Sequence, residues 1–256
     1  MDSNLIYQFP PLLLGILIKR YKRFFADIEL TTGEIITAHC PNTGPMTGVS
    51  TPGSLVQVSH NPSPTRKLAY TWEMIQVSDN EPTWVGINTN LPNRIVKLGL
   101  EAGTFPELSD YKKIKSEVVY GREKKSRIDF LLSGSKEKLP VYVEVKNTTW
   151  SHGRLAVFPD TVTTRGQKHL QELISILPTG RAVMLYFINR GDCDSFAPGD
   201  LVDPVYGKML REAVSLGVEV LAYRFETKPE GIRYLGKANF IASMPELSVN
   251  SANCYR

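Results

Sequence analysis

One stretch, RIDFLLSGSKEKLPVYVEVKN, Arg127 to Asn147, constrains this chain more than any other. Two runs rich in β-branched and large apolar residues flank a turn-forming SGSKEK, so the stretch reads as a β-hairpin. Side chains alternate along a strand. That puts Ile128, Phe130 and Leu132 on one face of RIDFLL, and Arg127, Asp129 and Leu131 on the other. Glu144 and Lys146 lie two apart and also share a face. Folding the hairpin symmetrically about its turn sets Asp129 opposite Glu144, with β-carbons about 5 Å apart.

Two opposed carboxylates repel. Across strands this costs a few tenths to about 1 kcal/mol even in water, and burial increases the penalty. A divalent cation such as Mg²⁺ removes the conflict, because it takes oxygen ligands, commonly one or two carboxylates, and keeps waters that a phosphate can replace. Asp129 and Glu144 are therefore the candidate metal ligands, with Mg²⁺ or Mn²⁺ as the expected cofactor. Lys146 is placed to neutralise charge on a reacting phosphate or to orient an attacking water. The bland alternative is a solvated sheet edge with Lys146 in an ion pair worth at most about 1 kcal/mol.

The chain's 256 residues, 42% hydrophobic and 22% charged, suit a soluble protein of one large or two modest domains. A formal charge of +4 permits a polyanionic partner without demanding one. The three cysteines are widely spaced and form no CxxC, which argues against a disulfide framework and a zinc site and favours a reducing cytoplasm. LLLGILI, Leu12 to Ile18, is too short to span a membrane and reads as a buried strand, so no membrane association is expected. The four histidines show no metal-ligand spacing, and no Gly-x-Ser-x-Gly elbow is present. GIRYLGKA has phosphate-loop spacing but ends in Ala238 and alternates like a strand.

From Gly15 to about Thr89, short β-rich runs separated by Gly, Pro and Asn clusters predict a small closed barrel, of which an OB-like barrel is one form. Near Asn90 the rhythm changes to alternating helices and strands: a helix over LPNRIVKLGLEAG, a strand near SEVVYG, and the hairpin. A helix from about Thr164, the strand RAVMLYFI, a loop, a helix around PVYGKMLREAVSLG and two final strands follow. The segment from Ile241 reads as a poorly packed tail.

An acidic residue on one strand, ExK on the next and a helix afterwards resembles the PD-(D/E)XK nuclease core. That resemblance implies an upstream glutamate in the site, for which Glu117 is the candidate. More specifically, GREKKSRIDFLL, YVEVKNTTW, FPDTVTTRGQKHLQEL and YFINRGDCDSFAPGDLVDPVYGKML, with HCPNTGPM, resemble the sugar fermentation stimulation protein family from roughly Leu14 to Phe240. The resemblance implies an α/β protein with a β-barrel. Residues 1–88 would form an OB-like barrel, 89–240 a PD-(D/E)XK nuclease-like mixed-sheet domain, and 241–256 a tail. It also implies DNA binding and a link to the regulation of sugar metabolism.

In DTVTTRGQKHLQELISIL, Thr164 stands three before Gln167 in a capping-box pattern, and Leu170, Leu173, Ile174 and Leu177 form the predicted core stripe. Arg165, Gln167, Lys168 and His169 are expected on other faces near the helix start, where free N–H groups favour a phosphate. With Arg127 they are the candidate nucleic-acid contacts. Lys112, Lys113, Lys115, Arg122, Lys124 and Lys125 form a basic run that could guide a backbone. Phe24 and Phe25, set among basic residues, offer one core ring and one stacking ring. The expectation is a cytoplasmic DNA-binding protein whose catalytic group is Glu117, Asp129, Glu144 and Lys146. The alternatives are a DNA-binding regulator without turnover and a protein with a small-molecule ligand.

Overall fold

A computed structural model describes residues 4–79, 81–120, 126–135 and 138–243. The chain begins with β1 (Leu5–Gln8), then β2 (Leu12–Tyr21), β3 (Phe25–Leu30), β4 (Ile35–His39), β5 (Leu55–His60), β6 (Tyr70–Val77) and β7 (Thr83–Gly86). Strands β2 to β7 pair in the order β4-β3-β2-β5-β6-β7, and a parallel pairing of β4 with β6 closes β2 to β6 into a five-stranded barrel. Alternation fills it: Ala26, Ile28 and Leu30 of β3 point inward beside Leu17, Val58 and Trp72, while Asp27 and Glu29 point away. The inner side chains contribute on the order of 1.5–3 kcal/mol each for the larger ones.

LLLGILI is a strand but not a buried one. Leu13, Ile16 and Ile18 are exposed, because a barrel strand turns only alternate residues inward. Gly15 marks the tightest crossing, since a β-carbon there would lie 2.5 Å from Ile28 Cγ2 and 2.8 Å from the Glu29 carbonyl oxygen. Phe24 is exposed, and Phe25 is half-buried and stacks on Tyr21, so neither ring is core.

Beyond the barrel come α1 (Leu91–Glu101), β8 (Lys113–Tyr120), β9 (Ser126–Ser133), β10 (Val141–Thr148), β11 (Ser151–His152) and β12 (Leu155–Phe158). Next are α2 (Thr164–Ile176), β13 (Arg181–Ile188), β14 (Ser195–Pro198), α3 (Pro204–Leu216), β15 (Glu219–Lys228), β16 (Gly231–Lys237) and β17 (Asn239–Phe240). A seven-stranded mixed sheet runs β1-β16-β15-β13-β10-β9-β8, with β10, β13 and β15 parallel. Seven of the eight β13 residues are buried, as expected of a strand covered on both faces. Val183, Leu185 and Phe187 face α1 and its aromatic neighbours, while Met184, Tyr186 and Ile188 face α2 and α3. β11, β12, β14 and β17 form a small separate sheet. β11, β12 and β14 occupy segments to which the sequence pattern assigned no strand, being only two to four residues long, and β17 is the end of the expected final strand, split off into this sheet.

Residues 1–88 are not all barrel. β1 pairs antiparallel with β16, so the chain starts on the edge of the large sheet before entering the barrel. The barrel is fastened to the sheet domain by Gly86, whose N–H donates to the Asn189 carbonyl at 3.0 Å. Arg190, 1% exposed, adds a second tie through Asp79, Asp192 and the Thr149 carbonyl. Cys40 and Cys193 are free and buried. No helix among the described residues is long and apolar enough to cross a membrane. The run Arg122, Lys124 and Lys125, the hairpin tip at 136–137 and the tail from 244 lie outside the described residues.

The crossing at Gly15 yields a test of the barrel. Gly15→Ala forces β2 and β3 apart against backbone and is expected to cost about 1–3 kcal/mol, read as a lower urea midpoint with an unchanged m-value.

Candidate active site

The hairpin has the register its sequence requires. Val141 pairs with Leu132, Tyr142 with Leu131 and Val143 with Phe130, and the same register sets Asp129 across from Glu144. There the backbone ladder ends and a side chain takes over: Asp129 Oδ2 accepts the Val145 N–H at 2.7 Å. Its Oδ1 accepts from Asn93 Nδ2 at 2.8 Å. Asn93 sits in the first turn of α1, and sequence reasoning missed it because an asparagine at a helix start looks like ordinary turn or capping chemistry.

Strict alternation fails at this same point. Phe130 and Leu132 join the core on the α1 side, whereas Ile128 joins the core on the α2 side. Its partner Val118 on β8 switches likewise. Between Ser116 and Val118 lies Glu117 in a left-handed conformation, φ 54°, which a non-glycine residue adopts at a cost of about 1–2 kcal/mol and which breaks the two-residue repeat. Glu117 stands opposite Asp129 in the β8–β9 register, but its side chain is exposed.

Glu144 is 3% exposed and faces α2. Lys146 Nζ donates to its Oε1 at 2.6 Å, and His169 Nδ1 hydrogen-bonds the same oxygen. Arg165 Nε donates to His169 Nε2 at 3.4 Å, which leaves the ring proton on Nδ1, turned toward Glu144. His169 is thus buried against the centre instead of lying on an outer helix face. Glu144 Oε2 is buried and has no hydrogen-bond partner. An unpaired buried oxygen of this kind costs about 1–3 kcal/mol or more.

The two carboxylates differ in their affinity for protons. Burial, reinforced by the Glu144 charge, pushes Asp129 up to about 6. Burial also acts to raise Glu144, but the hydrogen bonds and charges of His169 and Lys146 outweigh it and hold the group below its ordinary value. Such a split marks sites where two acids do different work.

Not every expected residue joins the centre. Gln167 donates its amide to both Asp203 oxygens, at 3.0 and 3.1 Å, and Asp203 also caps α3 through the Tyr206 N–H. No capping box forms: Thr163, not Thr164, caps α2 by accepting the Gly166 N–H. In the core stripe Leu170 and Leu173 are fully buried, Ile174 and Leu177 only partly, and Ile176 completes it. Arg127 is exposed on β9, and Lys168 is exposed with an ion pair to Glu172 at 3.5 Å. Lys112, Lys113 and Lys115 are exposed as well.

A hard cation fits this arrangement. The donors are carboxylate oxygens; Lys146 neutralises Glu144 through Oε1, while the buried Oε2 has no hydrogen-bond partner. Among the described residues no group of three or more His, Cys, Asp and Glu side chains is arranged to hold a metal ion.

Two family models cover most of the chain: the SfsA N-terminal OB domain over residues 18–87, and the sugar fermentation stimulation protein RE domain over residues 90–231. The chain belongs to the sugar fermentation stimulation protein family. Its relatives include the sugar fermentation stimulation protein homolog of a Nostoc species, 68% identical over 93% of this chain and 99% of that one. The homolog from Nostoc punctiforme is 70% identical over 91% of this chain and 97% of its own length. Among solved structures, that of Pyrococcus furiosus SfsA in complex with Ca²⁺ superposes with a TM-score of 0.82 at 26% identity, covering 93% of this chain and 100% of that chain. The OB-like barrel followed by a mixed-sheet domain is therefore the family fold.

Asp129 should reveal the repulsion directly. Its folded value lies above the ordinary 3.8, so the folded state holds the extra proton from about pH 4 to 6; the group favours folding at low pH and loses that contribution as pH rises through 6. A carboxyl-carbon NMR titration is expected to place its midpoint near 6 and to find it lower in Glu144→Gln.

Proposed function

We propose that this protein is a divalent-metal-dependent nuclease that acts on DNA, with Asp129 and Glu144 holding Mg²⁺ or Mn²⁺. The observation that carries the reading is the buried, unpaired Glu144 Oε2 beside a second carboxylate. When bound, the cation lowers the pKa of water and polarises a phosphoryl oxygen. The relative from Pyrococcus furiosus, determined in complex with Ca²⁺, supports divalent-cation binding within this fold.

The chain's own groups have separable tasks. Lys146, tied to Glu144 Oε1, brings a positive charge to where a phosphate gains negative charge in the transition state. His169 fixes Glu144, and Arg165 fixes His169 while adding charge at the start of α2. Asn93 and the Val145 N–H hold Asp129 in its orientation. The exposed Arg127 and Lys168 would neutralise backbone phosphates outside the centre, which makes binding weaken steeply with salt. Glu117 across from Asp129 and Gln167 on Asp203 then serve by position and by helix locking, respectively.

A second reading is a DNA-binding regulator of sugar metabolism without turnover. It is favoured by the hydrogen bonds that already occupy both Asp129 oxygens and by the direct Lys146–Glu144 ion pair. Incubation with single-stranded and duplex DNA in Mn²⁺ at low salt separates the two. Cleavage is expected, and it should fall about a hundredfold or more in the Asp129→Ala, Glu144→Ala double variant. Salt-sensitive binding that neither chelator nor the double substitution affects, with no cleavage by either protein, would establish the regulator instead.

A further inference from the structure

Just beyond Lys146, at the carboxyl end of β10, a cavity of about 100 Å³ opens between the barrel and the sheet domain. Asn42, Thr148, Trp150, Phe158 and Asp160 contribute to its walls. By alternation Thr148 shares the strand face of Glu144 and Lys146, and two residues of strand advance only about 7 Å. The cavity therefore adjoins Lys146 and lies about 13 Å along the strand from Glu144. It is well below the roughly 300–1,000 Å³ of pockets for drug-sized ligands. A single ring-sized group is what it can take.

The lining describes that group. Thr148 is 1% exposed, yet its Oγ1 has no hydrogen-bond partner. Asn42 Oδ1 is occupied by the Gly44 N–H at 2.9 Å, which leaves its amide N–H donors for a ligand. Its loop is rigidly placed, because Arg20 donates to the carbonyls of Asn42 and Gly44 at 3.0 and 2.9 Å. Asp160 is anchored by a backbone hydrogen bond from Thr47. Trp150 and Phe158 supply aromatic surface, with Phe158 braced edge-on against Tyr206 at 5.4 Å. Hydroxyl, amide and carboxylate around a space walled by aromatic rings suit a flat ligand with apolar faces and a polar edge.

We propose that this cavity receives one unpaired nucleobase of the nucleic-acid substrate, and that Asp160 selects bases bearing an exocyclic amino group. The proposal rests on the DNA-acting function above and adds a specificity element to it. An ionised carboxylate only accepts hydrogen bonds. Cytosine presents an N4 amino donor where thymine presents an O4 acceptor, so thymine would set two acceptors against each other. The two rings differ at position 4 and in the C5 methyl of thymine; a substitution of Asp160 leaves the methyl effect in place and so isolates the contribution of position 4.

The test is fluorescence anisotropy of equally long labelled oligo-dC and oligo-dT on the full-length protein, at low salt with Ca²⁺, with both strands recovered intact. Oligo-dC is expected to bind about tenfold more tightly. In Asp160→Asn, whose amide offers a donor as well as an acceptor, the preference should shrink to about twofold or less with oligo-dT binding undiminished. Equal affinities in the unmodified protein, or a full preference retained by Asp160→Asn, would overturn the pocket while DNA binding stands. Failure of the folded protein to bind either strand would overturn the pocket together with the function beneath it.

Discussion

Asp129 and Glu144 face each other across one step of a buried hairpin, and the surrounding elements are arranged around that repulsion. The two carboxylates take their partners from different helices. Helix α1 supplies Asn93 to Asp129, while α2 supplies His169 to Glu144, with Lys146 from the strand itself. A hydrogen bond to a charged group contributes about 1.5–3 kcal/mol, so each helix helps hold the carboxylate it touches. Of the four oxygens of the pair, Glu144 Oε2 alone has no hydrogen-bond partner.

The barrel has a positional role in the same scheme. Asn189 and Arg190, immediately after β13, clamp it through Gly86 and Asp79. That docking carries the loop around Asn42 to the end of β10, where it completes a wall that neither domain supplies alone. The start of the chain crosses back in the opposite sense, with β1 covering the edge of β16 and protecting an otherwise open strand. The two domains are thus joined through the sheet on which the carboxylates sit.

Sequence reasoning reached the parts of this arrangement that depend on local periodicity. The hairpin register, the shared face of Glu144 and Lys146, the three helices and the closed barrel all follow from alternation and turn chemistry. What it missed depends on contacts between distant segments. Asn93 lies 36 residues from Asp129, and no pattern in LPNR announces that contact. His169 was expected on an outer face because leucines defined the stripe, but the centre draws it inward. Gln167 looked like half of a capping box, and Asp203, on another helix, took its amide. Ile128 lies in the other core beside its partner Val118, which follows the left-handed Glu117, and alternation alone does not foresee either.

The proposed cation at the carboxylate pair is open to direct measurement. Electron paramagnetic resonance of free Mn²⁺, titrated with the protein near neutral pH, tests it most directly. The account requires that one Mn²⁺ be bound per chain and that this binding be lost when Asp129 and Glu144 are both replaced, in a variant whose circular dichroism is unchanged. Equal Mn²⁺ binding by the two proteins, or none by the unmodified one, would contradict it.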